Sequence, residues 1–207
     1  MAKASNNLFK LIYYSTWTCV GYYIIRDMES LPPMMGGKGS FQDIFNEFPV
    51  WTKPRGFDIF YCASIGYHLE SAFSFILSPA KDDFVEMILH HITTICLILF
   101  SYSINVTQHG VLVLLIHHFS DIFTSATRAF LDIKSKARDI LFLGIIVTWK
   151  YSRLYVFFYL IKDTYFLEVE IPEMEVYADT SRGPKNMFLL FLAILYVLHV
   201  FWMYKFY

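Results

Sequence analysis

Two pairs of adjacent histidines stand out in this sequence, because an imidazole can act as a general base or as a nucleophile. The first pair is His90 and His91, and the second is His117 and His118, followed three residues later by Asp121. Both pairs lie within stretches apolar enough to cross a membrane. Ionisable side chains are costly in hydrocarbon, so they normally face a protein interior and mark a functional site. The sequence therefore predicts a polar, reactive pocket inside a membrane-embedded helical bundle.

Helical spacing places several of these side chains on common faces, because residues three and four apart lie on the same side of a helix. His117 and Asp121 fall on one stripe that continues through Thr124 and Arg128. Asp121 is then placed to accept a hydrogen bond from His117, which would fix the tautomer of that imidazole and raise its basicity. The preceding apolar stretch aligns a second polar set: Glu86, His90, Thr94 and Ser101.

Further ionisable residues lie in the neighbouring apolar stretches. His68 and Glu70 fall on roughly opposite faces of one helix, whereas Lys150 and Arg153 lie one turn apart on another. Two buried acids and two buried bases could neutralise one another, which hydrocarbon otherwise forbids. The alternative is a structural role, because polar residues in membrane bundles also serve as interhelical hydrogen-bond partners.

A metal site is a third interpretation of clustered histidines, because histidines in some membrane enzymes hold iron. Fatty-acid desaturases and hydroxylases use repeated His-x-x-His-His or His-x-x-x-His spacings. This chain has seven histidines without such spacing, at positions 68, 90, 91, 109, 117, 118 and 199. Its three cysteines, Cys19, Cys62 and Cys96, fall in separate apolar runs and are interpreted as buried small hydrophobes. We therefore expect no metal and no bound cofactor.

The composition indicates one integral membrane domain covering residues 1–207. Hydrophobic residues make up 56% of the chain and charged residues 17%, against roughly 25% charged in an average soluble protein. Mean hydropathy is +0.44. The net charge of −1 gives no indication of a nucleic-acid partner. We find no internal repeat and no flexible linker.

Six stretches approach the roughly 20 apolar residues that a membrane-spanning helix needs. They cover about residues 8–25, 57–77, 84–102, 110–131, 140–161 and 186–206. Because lipid-exposed strands would leave backbone groups unsatisfied, these stretches are predicted to be helices. The fold class is therefore an all-α, multi-pass membrane bundle. The first apolar run is expected to be retained rather than cleaved as a signal.

Three segments resemble the Lag motif of ceramide synthases, which belong to the TLC superfamily of multi-pass membrane proteins. They run from Asp83 to Thr94, from Ser101 to Asn105 and from His117 to Phe123. The segments 149–159 and 186–202 also look like later helices of that domain. The resemblance covers nearly all of the chain. It implies a six-helix TLC-type bundle in the endoplasmic reticulum membrane.

The resemblance also implies an activity, namely transfer of a fatty acyl group from coenzyme A to the amine of a long-chain sphingoid base. It assigns His90, His91, His117 and Asp121 to the reaction centre. An imidazole would act as a base toward the amine or would itself accept the acyl group. Membrane lipids, the long-chain base and acyl-CoA as co-substrate are the partners that the resemblance implies.

Basic residues near the fourth predicted helix are candidates for binding the substrate. Arg128, Lys134, Lys136 and Arg138 follow the motif closely and could meet the phosphates of coenzyme A. Arg153, from the fifth predicted helix, completes this predicted substrate-binding set. Ordinary anchoring at the membrane interface is the alternative role for the first four.

Two departures from the motif leave the function open. Enzymatic members typically read His-Asp-x-Ser-Asp, whereas this chain has His118 at the second position, and they usually carry an acid where this chain has Ser125. These positions are seven apart and share a helix face, so their joint change indicates an altered role for that face. The alternative is a non-catalytic TLC protein. It would bind lipid or serve as a subunit of a larger membrane complex, for example in the mitochondrial inner membrane. A homo-oligomer is an alternative assembly that both functions leave open.

Overall fold

The computed structural model describes residues 2–45, 51–79, 82–130, 136–166 and 178–206, and no strand occurs among them. The long helices are α1 (Ala2–Ile25), α2 (Phe57–Ile76), α3 (Phe84–Ser103), α4 (Thr107–Ala129), α5 and α6 (Ala178–Lys205). Helix α5 is continuous through three parts: Lys136–Thr148, Trp149–Val156 and Phe157–Phe166. The predicted all-helical class is confirmed, and each predicted stretch corresponds to one long helix.

Four helices are long and apolar enough to cross a membrane. The qualifying segments are Phe84–Ser103, Thr107–Ala129, Arg138–Phe166 and Lys185–Lys205. They make the chain an integral membrane protein by length and composition. The first two predicted spans, in α1 and α2, fold as helices, but their passage through the membrane stays a prediction.

Helix α4 lies at the centre of the bundle. Every residue from Thr107 to His118 is buried, whereas each of the other spans exposes large apolar side chains on its surface. A helix that is buried on all sides must be surrounded by other elements, and α4 packs against α1, α3 and α5. Side chains presented by α4 near its middle are therefore shielded from both lipid and water.

Small residues allow close helix packing around α4. A Cβ atom at Gly21 of α1 would lie 2.7 Å from the Phe60 ring and 2.9 Å from Leu115 of α4. At Gly110, a Cβ atom would collide with the hydroxyl groups of Tyr61 and Ser101. Gly21 thus allows α1, α2 and α4 to approach closely, and Gly110 does the same for α2, α3 and α4. A larger residue at either position would prevent this approach.

Helix α5 contains a π-helical segment, Trp149–Val156, between two α-helical parts. The wider turn of a π-helix changes which side chains face inward, and such segments often occur at functional sites. Here it buries Trp149, Ser152 and Arg153 on the side that faces α4 and α6. The π-segment therefore delivers a guanidinium group to the bundle interior.

Some interpretations of the sequence are corrected by the fold. Cys19 and Cys62 are exposed and Cys96 is half-buried, so the prediction of buried cysteines is wrong. These cysteines lie on outward faces of apolar helices, where sequence composition alone does not separate an outward from an inward residue. Lys134, one of the predicted substrate-binding residues, lies outside the described residues.

Candidate functional site

The centre of the candidate site is a pair of histidines from α4 and α6. His117 Nδ1 lies 2.7 Å from the carbonyl oxygen of Val113, and His117 Nε2 lies 3.1 Å from His199 Nε2. A carbonyl only accepts, so Nδ1 of a neutral His117 carries the hydrogen and its Nε2 is an acceptor. His199 must then donate from Nε2. Its Nδ1 is then the unprotonated nitrogen, which is buried and makes no hydrogen bond of good geometry among the described residues, and the backbone carbonyl of Arg153 lies near the same ring.

Aromatic rings enclose this histidine pair. The Phe157 ring lies edge-on to both imidazoles, at centroid distances of 5.4 Å from His117 and 5.3 Å from His199. The Trp149 indole N–H donates to the backbone carbonyl of His199 at 3.1 Å. His117 and His199 are 5% and 0% exposed, so the pair is kept apart from bulk water. Such an environment protects a reactive group or intermediate from hydrolysis.

A buried ion pair lies directly beside the histidines. Arg153 Nη2 donates to Asp121 Oδ1 at 2.5 Å, and Arg153 Nε donates to Ser120 Oγ at 2.6 Å. Arg153 Nη2 also donates to the backbone carbonyl of His117 at 3.3 Å. A buried guanidinium requires a compensating charge and further hydrogen bonds, and this arrangement supplies both. Arg153 thereby ties the π-helical segment to the turn of α4 that carries His117.

The predicted hydrogen bond between His117 and Asp121 is wrong. The helical spacing that aligns these two residues also offers Nδ1 the backbone carbonyl of Val113, one turn earlier. Asp121 instead pairs with Arg153, whose positive charge makes it the stronger partner for a carboxylate.

The predicted burial of two acids and two bases together is only half realised. Asp121 and Arg153 form a pair whose side chains are 24% and 4% exposed. Glu70, by contrast, is exposed and accepts a hydrogen bond from Ser74 Oγ, and Lys150 is also exposed. Neither of these two residues contributes to the interior site.

The structure separates the two histidines of the first pair. The His90 ring lies 6.3 Å from the His117 ring and 5.4 Å from Trp202, and its Nδ1 has no partner among the described residues. His91 is 9% exposed and packs against Phe75 of α2 at 5.4 Å. Adjacent helix positions point about 100° apart, so His90 faces His117 while His91 faces α2. Their predicted catalytic roles stay predictions.

The predicted substrate-binding cations lie in two different environments. Arg128, Lys136 and Arg138 are exposed around the end of α4 and the start of α5. Arg138 forms an exposed pair with Asp139 at 3.5 Å. Arg153, by contrast, is directed at protein groups inside the bundle and stacks 4.1 Å from the Trp149 ring. That geometry is typical of a positioning residue, and phosphate binding by these cations stays a prediction.

His199 is a site residue that the motif segments did not single out. A signal was present, because His199 is the one charged or imidazole side chain between Asn186 and Tyr204 in an otherwise apolar stretch. It lies four residues after Leu195 and three before Trp202, and both of these residues are buried. That spacing places His199 on the inward face of α6. Its pairing with His117 required the helix packing.

Comparison with known proteins places this architecture in a family. The family model described as TLC domain matches residues 3–207, and the chain therefore belongs to the TLC-domain family. Its similarity to the ceramide synthases confirms the resemblance drawn from the motif segments.

Several curated relatives carry a named activity. Ceramide synthase hyl-2 of Caenorhabditis elegans is 25% identical over 94% of this chain and 59% of its own length. Ceramide synthase 4 of Bos taurus is 30% identical over 76% of this chain and 39% of its own length. Sphingosine N-acyltransferase lag1 of Schizosaccharomyces pombe is 27% identical over 72% of this chain and 37% of its own length. The chain thus spans less than two thirds of these relatives.

Proposed function

We propose that this protein is an N-acyltransferase that uses acyl-CoA to acylate the amine of a long-chain sphingoid base. The observation that carries the proposal is the buried pair of His117 and His199, which leaves one unprotonated imidazole nitrogen in an apolar interior. The names of the TLC-domain relatives supply the substrate class. The endoplasmic reticulum membrane is the proposed location, by the same resemblance.

In the proposed reaction, the amine nitrogen attacks the thioester carbonyl carbon of acyl-CoA. A carbon–nitrogen bond forms, the carbon–sulfur bond breaks, and the amine loses one proton. His199 Nδ1 takes that proton, and the imidazolium then returns it to the departing thiolate. The products are an amide and coenzyme A with a free thiol. A general base of this kind contributes about 10²–10⁴-fold to a rate.

The hydrogen bond between the two histidines favours this base role over an acyl-imidazole. The lone pair of His117 Nε2 already accepts the His199 proton, so a nucleophilic His117 would first have to break that bond. As a relay, the same bond works without rearrangement. His199 can take a proton at Nδ1 and pass its Nε2 hydrogen to His117, and this spreads the positive charge over two rings.

Arg153 and Asp121 act as positioning residues in this proposal. Arg153 holds the backbone carbonyl of His117 and the hydroxyl of Ser120, and this fixes the turn of α4 at the reaction centre. Asp121 supplies the negative charge that allows the guanidinium to stay buried. His90, 6.3 Å from His117, is placed to contact the reacting groups.

Coenzyme A would remain at the membrane surface while its acyl chain enters the bundle. The exposed cations Arg128, Lys136 and Arg138 lie at one end of α4 and α5, where their charges suit phosphate groups. Lys134 belongs to the same proposed group by its place in the sequence. No resident cofactor is part of this proposal.

The test is formation of product by the purified protein in lipid vesicles supplied with palmitoyl-CoA and sphinganine. Mass spectrometry should detect N-palmitoyl sphinganine, and His199→Phe should reduce its rate of formation about 100-fold or more. The control is His109→Gln. His109 is also buried on α4, but its Nε2 pairs with Thr164 Oγ1 at 3.2 Å, away from the site. Absence of product over a range of acyl chains and amines would refute the transferase.

The second candidate is a non-catalytic TLC protein that binds lipid or belongs to a larger membrane assembly. The replacement of two acids by His118 and Ser125 favours it, because both side chains are buried on the central helix. Its signature would be other membrane subunits that co-purify at fixed ratio in mild detergent without amide formation. Recovery of only a monomer or a homodimer would count against it. The mitochondrial inner membrane is then an alternative location.

A further inference from the structure

A second polar cluster lies on the other side of α4, between α1 and α2. The His118 ring stacks on the His68 ring with a centroid distance of 5.8 Å and an interplanar angle of 14°. Tyr13 and Tyr14 of α1 contact His118 at 5.8 and 5.4 Å, and Tyr67 contacts His68 at 5.7 Å. Three helices therefore supply aromatic rings that pack around two imidazoles.

Three ring nitrogens in this cluster have no hydrogen-bond partner among the described residues. They are Nδ1 and Nε2 of His118 and Nε2 of His68, and each is buried. His118 itself is 0% exposed. Buried polar atoms in native proteins are almost always paired with protein, water or ligand, so this concentration of unpaired atoms makes the cluster a candidate site for a bound polar molecule. The cluster is separate from the hydrogen bonds that join His117, His199 and Arg153.

The chemistry of these nitrogens restricts the class of ligand. A neutral imidazole has one donor nitrogen and one acceptor nitrogen, so His118 requires a partner that both accepts and donates. A carboxylate or phosphate only accepts, and a hydrocarbon does neither. A cation satisfies acceptors only, and the part of the chain that the structure describes contains no group of three metal-ligating side chains. Hydroxyl groups satisfy both nitrogens.

We propose that His118 and His68 bind the amine- and hydroxyl-bearing headgroup of the long-chain acceptor lipid. This inference rests on the proposed transferase function and names the site of its second substrate. An amino diol carries donors and acceptors for these nitrogens and for the hydroxyls of Tyr13 and Tyr67, which are also buried without a partner among the described residues. His117 and His118 point to different sides of α4, but His68 and His118 both lie within electrostatic range of His117, so the two sites are neighbours around the helix.

The test measures binding separately from catalysis. Equilibrium binding of radiolabelled sphinganine to the full chain in lipid nanodiscs should weaken about tenfold in His118→Phe and in His68→Phe, as expected for the loss of one or two hydrogen bonds. Phenylalanine keeps an aromatic ring in each stack while it removes the nitrogens. Octadecylamine has the chain and the amine without the hydroxyls. It should bind the wild-type protein more weakly than sphinganine does, and its affinity should be the same for the wild-type and His118→Phe proteins.

The matched control is His109→Phe. His109 is a buried histidine on the same helix whose Nδ1 is also unpaired among the described residues, but its ring packs edge-on to Phe188 at a centroid distance of 4.9 Å, outside the His68 cluster. Thr164 keeps its bond to the Leu160 carbonyl in this variant, so sphinganine affinity should not change. The His68 variant provides a second test on a different helix if the His118 variant does not fold. Unchanged sphinganine affinity in a folded His118→Phe or His68→Phe protein would overturn the inference, because water alone would then satisfy the nitrogens.

The outcomes separate this inference from the transferase proposal. Sphinganine binding that depends on His118, together with no amide product, would support the binding site and refute the catalytic function. Amide formation by His118→Phe with an unchanged KM for sphinganine would support the catalytic function and refute the binding site. A raised KM for sphinganine, at an unchanged KM for palmitoyl-CoA, would support both.

Discussion

His117 and His199 are 82 residues apart in the chain, yet their Nε2 atoms lie 3.1 Å apart in the middle of the bundle. The bond connects the central helix α4 to α6 and forces the two imidazoles into complementary tautomers. The Val113 carbonyl keeps the proton of His117 on Nδ1. The unpaired ring nitrogen is therefore on His199 rather than on His117. The predicted catalytic group on α4 therefore acts through a partner on another helix.

The first prediction concerns how the two histidines of this pair act together. His199→Phe removes the free nitrogen, so we expect kcat to fall about 100-fold or more with little change in either KM. His117→Phe should reduce kcat by a similar factor, and the double variant should be no worse than either single variant, because the two rings act as one relay. Steady-state rates of amide formation would measure this. Multiplying effects in the double variant would show independent roles.

The second prediction concerns the ion pair of Arg153 and Asp121. Asp121→Asn leaves a buried guanidinium without its charge partner, so we expect a loss of about 3 kcal/mol of stability, toward the lower end for buried pairs because Asp121 is 24% exposed. Denaturant titration in mixed micelles would measure it.

The matched variant removes both charges. Arg153→Met combined with Asp121→Asn should recover much of the lost stability, because no uncompensated charge remains. The same double variant should stay poorly active, since the His117 carbonyl and Ser120 lose their guanidinium partner. Full activity in that protein would exclude a positioning role for Arg153.

The sequence was sufficient to predict the six long helices, because each coincides with a run of mainly apolar residues. It was also sufficient to single out His117 and Asp121. It failed on their partners, since spacing within one helix cannot show which side chain another helix presents. The Arg153 contact depends on the π-helical turn of α5, and the His199 contact depends on how α6 packs. Neither is encoded in local periodicity.

The third prediction concerns the close contact between α2, α3 and α4. Tyr61 and Ser101 share a hydroxyl–hydroxyl bond of 2.5 Å, and Gly110 makes room for it. Gly110→Ala should cost about 1–3 kcal/mol, because the added methyl group overpacks a buried contact. Truncation of the hydroxyl in Tyr61→Phe should relieve part of this cost. Thermal unfolding of the single and double variants would measure the coupling.

The control for that substitution is Gly66→Ala. Gly66 also lies in a helix, but no atom lies within 4 Å of the position its Cβ would take. Alanine there should stabilise the protein by up to about 1 kcal/mol, since glycine is the poorer helix former. If both alanine variants had the same effect, packing at Gly110 would not be the cause.

The last prediction concerns the passage of α1 through the membrane, which hydropathy alone does not establish. Helix α1 exposes large apolar side chains along its length, among them Leu8, Phe9 and Ile12 at 48%, 58% and 58%. An exposed apolar surface of this kind indicates contact with lipid. In a cysteine-free background, Ile12→Cys should resist a membrane-impermeant maleimide in permeabilised vesicles, whereas Asp27→Cys, beyond the end of α1, should react. Both should react in denaturing detergent. Rapid labelling at position 12 in intact bilayers would place α1 outside the hydrocarbon and reduce the number of spanning helices.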